Sequence, residues 1–258
     1  MVSPAGERFF LTALGKQPLA DHEQTAPRLL LKVLQNWQEI GEAILALQRQ
    51  NLPLHESAQK NWDHWLLYNA LVPLSREQAV ADLGCGKGHT LRMLYFLGFA
   101  TIDGVDLKIS AELRAQQVFQ MYLDRTLRRP YRLHNGNILS TRLETGAYGC
   151  VTSISTIEHG CDAAQFFNEA ARLMRRDGLL FITTDYWEDK IDTSDANDAF
   201  GLPWRIFCRA EIDELLDIAA RAGLQPWLEM EIPKCSERPV YWNNRSYTFI
   251  AMSFRKSD

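Results

Sequence analysis

Residues 79–88 read AVADLGCGKG, a short and mostly apolar run from Ala79 to Leu83 followed by Gly84, Gly86 and Gly88 with one residue between each. A run of that length bounded by turn residues is a buried strand entering a tight turn. Glycines there let the backbone take positive φ and come close to a ligand, because no Cβ stands in the way. Thr90 to Phe96 follows as a helix, Ala100 to Val105 as a second strand, and Asp106 ends that strand. Ligands of open α/β sheets sit at the carboxyl ends of strands near the switch in strand order, and a carboxylate at that point accepts from both hydroxyls of a ribose. A glycine turn alone is a weak signal. Strand, GxGxG, helix, strand and terminal acid in that order is a strong one.

Downstream, Ser110 caps a helix through Val118, Phe119 and Tyr122, and Tyr131 to Leu133 makes a third strand. Cys150 to Ile154 is a fourth, a helix runs through Ala164, Phe167, Ala171 and Met174, and Asp177-Gly178 turns the chain into Leu179 to Thr183, the fifth. Strands alternating with helices imply parallel pairing, right-handed crossovers and helices on both faces of one sheet. After a helix near Ala210 to Ala222, Gln225 to Ile232 and Ser246 to Phe254 are strand-like. Pro233 to Arg245 between them is too short for a crossover helix, so those two strands pair antiparallel. The expected fold class is α/β: a doubly wound, seven-stranded, mostly parallel sheet with its last strand antiparallel.

Upstream, residues 1–75 carry no strand signal. Leu30, Val33, Leu34, Trp37, Ile40, Ile44 and Leu47 fall on one stripe of a long helix between Pro27 and Asn51. Pro53 breaks it, and Ser57 is placed to cap a second helix carrying Trp62, Trp65, Leu66 and Ala70. These two helices form an N-terminal helical cap or lid.

The 258 residues are 46% hydrophobic and 23% charged, the balance of an ordinary globule. A net charge of −4 gives no overall electrostatic footprint for nucleic acid. Cys85, Cys150, Cys161, Cys208 and Cys235 are scattered and form no CxxC pair, which argues against a structural zinc site and a disulfide framework. Reduced thiols in a cytoplasmic protein are the simplest interpretation. No cleavable signal is evident, and no stretch approaches the ~18 apolar residues of a membrane span.

Four segments together resemble the class I S-adenosylmethionine-dependent methyltransferases, in their small-molecule branch. AVADLGCGKG (79–88) is similar to the first motif of that superfamily and Gly104-Val105-Asp106-Leu107 to the second. SISTIEH (153–159) is similar to the fourth-strand motif and MRRDGLLFITT (174–184) to the fifth-strand segment. The resemblance implies a Rossmann-like methyltransferase domain over residues 76–258, with S-adenosylmethionine as cofactor. It implies that Gly84 and Gly86, with Cys85 between them, let the backbone approach the methionine part, and that Asp82 lies near its amino group. It implies further that Asp106 holds the ribose, Leu107 packs on the adenine face, and Asn137, with Ile138 after it, takes the place of an acid that accepts the adenine amino group. Ser155 lines the sulfonium end. Relatives with a Lys-Asn-Trp-Asp stretch, here Lys60 to Asp63, use that helix as a lid, so Trp62 is expected over the cofactor, with Tyr68 beside it. Cys85 is a small residue between glycines rather than a nucleophile.

Methyl transfer asks the protein chiefly for alignment, since the sulfonium already activates the methyl. An oxygen acceptor also has to lose a proton. His159, just past the fourth strand, has the pKa range of a general base. Asp185, ending the fifth strand, is the second candidate, to orient a base, bind a hydroxyl or hold a divalent cation. An unperturbed aspartate is ionised throughout the neutral range, so a pH limb near neutrality is expected to single out the histidine. Glu158 is instead placed to turn back onto the protein. The long, acidic and aromatic segment 185–207, with Trp187, Phe200, Trp204 and Phe207, is either an acceptor-side flap or a loop pinned by an aromatic cluster.

The function expected is therefore methyl transfer to a small-molecule acceptor, a hydroxyl of a saccharide or natural product. Nucleic acid and membrane are not expected as partners, no resident metal is expected, and a homodimer is compatible with the sequence. The alternatives are a nucleic-acid or protein methyltransferase, which lacks support in the absence of an Asn/Asp-Pro-Pro-Tyr or Pro-Cys stretch after the fourth strand, and a cofactor-binding protein without turnover. A nicotinamide oxidoreductase would show G-x-G-x-x-G, whereas Gly84, Gly86 and Gly88 are spaced G-x-G-x-G.

Overall fold

A computed structural model describes residues 31–126, 129–196, 201–226 and 231–257. In chain order its elements are β1 (Leu31–Val33), α1 (Trp37–Arg49), α2 (Lys60–Leu71), β2 (Ala79–Leu83), α3 (His89–Phe96), β3 (Thr101–Asp106), α4 (Ala111–Leu123) and β4 (Arg132–Asn135). They continue as β5 (Tyr148–Ile154), α5 (Ala163–Leu173), β6 (Met174–Tyr186), α6 (Arg209–Arg221), β7 (Leu224–Gln225), β8 (Val240–Trp242) and β9 (Arg245–Lys256). The hydrogen-bonded order is β1-β9-β6-β5-β2-β3-β4, with β7 and β8 also paired to β9. Strands β6, β5, β2, β3 and β4 are mutually parallel, and β9 runs antiparallel to β6.

The doubly wound, mostly parallel sheet with an antiparallel last strand is thus present, and all seven expected strands appear as β2 to β7 and β9. Of the expected strand 225–232, residues 227–230 lie outside the described residues. Strand order switches at β2, which has β3 on one side and β5 on the other, so the glycine turn after β2 opens onto the cleft between them. The central parallel strands β2, β3 and β5 are buried along nearly their whole length, whereas β4 at the sheet edge reads Arg-Leu-His-Asn and is partly exposed.

Two upstream expectations are corrected. The helix expected from Pro27 starts only at Trp37, because Leu31–Val33 forms β1 against β9. Leu31 and Val33 are buried and Lys32 is exposed, the alternation a strand produces. The edge of β9 would otherwise present unpaired backbone groups, and closing it outweighs the helical spacing. Asn36 then caps α1, its side chain accepting from Glu39 N at 3.1 Å. Trp37, expected on the apolar stripe, is 54% exposed. Pro27 and Leu30 fall outside the described residues. The second correction concerns Ser57: α2 begins at Lys60, with Gln59 at its cap position and no side-chain cap bond. Asn61 does the local ordering, accepting from His55 N at 2.9 Å and donating to Ser57 O at 3.1 Å. Ser110 caps α4 as expected, accepting from Leu113 N at 3.1 Å.

Among the described residues, no helix is long and apolar enough to cross a membrane.

Candidate active site

The cleft begins at the carboxyl ends of β2 and β3. The turn 84–88 is folded back on β3, with Gly84 N and Cys85 N both donating to Val105 O, at 2.8 and 3.1 Å. Gly84 has φ +84°, and a Cβ there would overlap the Thr156 side chain, so only glycine fits. At Gly86, φ is +47° and an added Cβ would meet nothing within 4 Å, so the missing side chain leaves backbone open to a ligand. Gly86 N donates to Asp106 Oδ2 at 2.9 Å and Lys108 N to Asp106 Oδ1 at 3.0 Å. Asp106 thereby stays half-exposed at the mouth of β3, its remaining lone pairs facing outward. Leu107 beside it is exposed. Gly136 N bonds Asp106 O at 2.9 Å, which brings Asn137 to the same rim. Asn137 Oδ1 accepts from Leu139 N at 2.9 Å, leaving its second lone pair, and Ile138 is buried beneath.

Asp82 is buried at the floor and accepts from Thr152 Oγ1 at 2.7 Å. Burial pushes its carboxyl up to about 7, and the hydrogen bond from Thr152 only partly offsets that. Burial likewise pushes the Cys85 thiol up, which removes it as a nucleophile and agrees with its expected passive place between the glycines.

The other end of the cleft lies over β5, β6 and β9, beneath α2. Ser155, just past the end of β5, has φ +46°, a conformation rare outside glycine, held by its N–H on Thr183 O at 3.0 Å. Lys60 reaches down from α2 to donate to Ser155 Oγ, 3.5 Å from Asp63 Oδ2, and lies 3.6 Å from the centre of the Phe249 ring. Three carboxylates stand around it, Asp63, Glu158 and Asp185, all buried. Glu158 accepts from Thr184 Oγ1 at 2.9 Å, and Asp185 from Trp204 Nε1 at 2.9 Å and from the Tyr247 hydroxyl. Burial raises Asp63 to about 6 and Glu158 and Asp185 to about 7, while the Lys60 charge pulls each of them back down. His159 is half-buried, and its peptide pairs with that of Trp204.

Segment 185–207 is anchored. Trp187, Trp204 and Phe207 are buried, Trp187 N donates to Phe207 O and Phe207 N to Asp185 O, and Arg205 N donates to Glu158 O. Of its aromatic residues, Trp204 donates to Asp185, Trp187 stacks under Arg238 and Phe207 under Arg205, while Phe200 lies outside the described residues.

The structure brings Asp82, Gly84, Cys85, Gly86, Asp106, Leu107, Asn137 and Ile138 to one end of the cleft and Ser155, His159 and Asp185 to the other. Trp62 it turns away: its indole donates to Glu39 on α1 at 3.1 Å, and Tyr68 donates to Gln50 at 3.1 Å. Positions 60 and 63 share one face of a helix while 62 points to the opposite side, so α2 presents Lys60 and Asp63 to the cleft. Glu158, expected to turn back onto the protein, does bond Thr184 but also joins the cluster. Among the described residues, no group of three or more His, Cys, Asp or Glu is arranged to hold a metal ion.

Residues 54–229 match the family described as methyltransferase domain. A probable S-adenosylmethionine-dependent methyltransferase of Mycobacterium tuberculosis is 28% identical over 169 residues, which cover 62% of this chain and 53% of the relative. Geranyl diphosphate 2-C-methyltransferase of Saccharopolyspora erythraea is 24% identical over 185 residues, covering 71% of this chain and 59% of that protein. The chain therefore spans little more than half the length of the curated relatives it matches. Among solved structures, geranyl diphosphate C-methyltransferase from Streptomyces coelicolor A3(2), in complex with Mg2+, geranyl-S-thiolodiphosphate and S-adenosyl-L-homocysteine, superposes with a TM-score of 0.57 at 20% identity, over 79% of this chain and 82% of that one. At that identity the likeness is one of fold.

Proposed function

The chain belongs to the methyltransferase-domain family, and on that premise we propose that it transfers a methyl group from S-adenosylmethionine to a small-molecule acceptor. The observation that carries this is the turn at the strand-order switch: a glycine turn open at Gly86 with Asp106 bonded to it, beside the strands whose carboxyl ends carry Ser155 and Asp185. Asp106 and Gly86 hold the ribose side, Leu107 and Asn137 the adenine side, and Asp82 the amino group of the methionine part. The cofactor supplies a methyl already activated by its sulfonium. What remains for the protein is to align the acceptor, exclude water and accept a proton.

The acceptor proposed is a hydroxyl of a saccharide or natural product, and Asp185 is the base. A carboxyl lifted to about 7 by burial is half ionised at neutral pH and strong enough to take a proton as the new bond forms. The Lys60 charge partly offsets that burial, and Trp204 and Tyr247 fix its orientation. Geranyl diphosphate, the acceptor named for two of the similar proteins, carries a diphosphate, whereas three carboxylates against one lysine oppose an anion of that charge. The same repulsion, with the net charge of −4, disfavours a nucleic-acid acceptor. The cytoplasmic placement expected from the free cysteines belongs to this proposal as well.

Calorimetry on the purified protein is expected to show binding of S-adenosylmethionine and none of NAD. Binding of NAD without S-adenosylmethionine would overturn the proposal.

A further inference from the structure

Behind the turn that follows β5 lies a second recess, which the methyl transfer proposed above does not use. Its volume is about 290 Å³, and it is enclosed by that turn, by α5, by residues 205–207 and by α6. Ile157, Phe166, Phe207 and Leu215 are buried along it and make its walls apolar. Ala163 and Ala164, in the first turn of α5, are too small to fill it. A space of this size holds about ten water-sized groups, and folded chains seldom leave so much apolar wall without packing partners. Recesses with apolar walls and a few placed polar groups are where small molecules bind.

Cys161, Asp162 and Arg205 are the polar side chains that line it among the described residues. Asp162 is already matched, accepting from Gln165 N at 2.8 Å as the cap of α5. Cys161 directs its sulfur at Thr156 O, 3.8 Å away, and burial raises the thiol to about 11, so it carries no charge. Arg205 is different. Its guanidinium is half-buried, 5.3 Å from the centre of the Phe207 ring, and makes no hydrogen bond or ion pair with a described residue. Arg172, Arg209 and Arg245 are comparably covered, and each closes on an acid, Glu169, Glu188 and Asp195. A guanidinium presents its donors as a planar fork that matches a carboxylate. We propose that the recess is a second small-molecule site, taking a carboxylic acid with an apolar tail, about ten non-hydrogen atoms in all. The carboxylate pairs with Arg205, and the tail lies along Phe166, Phe207 and Leu215.

One wall of this site is shared with the acceptor end of the cleft. Ile157 lines the recess, and Glu158, next in the chain, stands in the acid cluster. Arg205 faces the recess, and Trp204 before it donates to Asp185. Arg205 N on Glu158 O and Phe207 N on Asp185 O, each at 3.0 Å, tie these segments together. An acid bound in the recess therefore braces the segment that orients Asp185, acting on the acceptor end through the wall rather than by contact. Its binding needs no cofactor.

The test is calorimetry of the full chain, without cofactor, against octanoate, octanol and octylamine, which share a tail length and differ in charge. Octanoate is expected to bind at a single site, roughly 10- to 100-fold more tightly than octanol or octylamine, the range for a charged hydrogen-bond partner. Arg205→Met should weaken octanoate by the same factor and leave octanol unchanged. Ala164→Phe, at an exposed position of α5, should fill the recess and abolish octanoate binding. In the wild type, octanoate but not octylamine should slow alkylation of Cys161, read by mass spectrometry. Equal affinity for the three ligands, no binding of octanoate, or no protection of Cys161 overturns the proposal. Octanoate binding that survives Ala164→Phe also overturns it, by placing the ligand elsewhere on the molecule. The ligand comparison and the Cys161 readout use the wild type alone, so they decide the matter even where a variant fails to fold. Binding of S-adenosylmethionine is measured separately, and none of these failures touches the methyltransferase function.

Discussion

The two ends of the cleft handle carboxylates in opposite ways. At the cofactor end, Asp106 is half-exposed and accepts from two backbone N–H groups within its own neighbourhood. Backbone amides and partial exposure meet its oxygens there. At the acceptor end, Asp63, Glu158 and Asp185 are at most 4% exposed and share one lysine. Charges taken out of water cost several kcal/mol each unless they are paired or protonated. The first arrangement is a consequence of backbone path and would exist in any chain that makes this turn. The second is destabilising unless function uses it, which marks it as the specialised part of the molecule.

The largest effect expected from that contrast is at Asp185. Asp185→Asn should lower turnover by about 10²–10⁴, whereas His159→Ala should stay within about tenfold of wild type. Activity in the wild type should fall as pH drops below about 7, where Asp185 protonates. The sequence suggested that such a limb would single out the histidine. Burial removes that distinction by bringing the aspartate into the same range, so the two variants, not the pH profile, decide. Wild-type turnover in Asp185→Asn would reassign the base.

At the solvated end, Asp106→Ala should weaken S-adenosylmethionine binding by ~1.5–3 kcal/mol. Since Asp106 also holds Gly86 N and Lys108 N, a loss of about 1 kcal/mol in stability without ligand is expected as well. Thermal melting with and without cofactor separates the two contributions. An unchanged affinity would show that the ribose is held elsewhere.

The smallest effect concerns stability and has a definite sign. Glu158 is raised to about 7 in the folded protein, so the folded state retains a proton that the unfolded chain gives up near its ordinary value. The stability this contributes is present at low pH and is lost as pH rises from about 4.5 through 7. Glu158→Gln keeps an acceptor for Thr184 and removes the ionisation. The variant should therefore be more stable than wild type by roughly 1–2 kcal/mol at pH 8 and show no gain near pH 4. Denaturant titration at the two pH values measures it. Equal stability at pH 8 would mean that Lys60 fully offsets the buried charge, and the contrast between the two ends would lose its energetic basis.

The sequence by itself determined the half of the site that is local. Residues 79–106 contain a strand, a turn needing positive φ, a helix and a second strand ending in an acid, and the bonds that close the turn onto β3 and Asp106 join residues within that same short stretch. Apolar runs and glycine spacing encode it directly, and the order of strands after it follows from the alternation of periodicities. What the sequence misassigned was β1, because three residues with an ambiguous apolar pattern are decided by the open edge of β9 more than two hundred positions away. What it pointed toward without resolving was the face of α2: the stretch Lys60 to Asp63 stood out, but Trp62 was the residue chosen from it. Only packing α1 against one side of that helix, with Glu39 taking the indole, leaves Lys60 and Asp63 to the cleft. The acid cluster is likewise a tertiary product. Asp63, Glu158 and Asp185 are far apart in the chain and ordinary one by one, and their raised protonation arises from burial together beside a single ammonium, which no local pattern records.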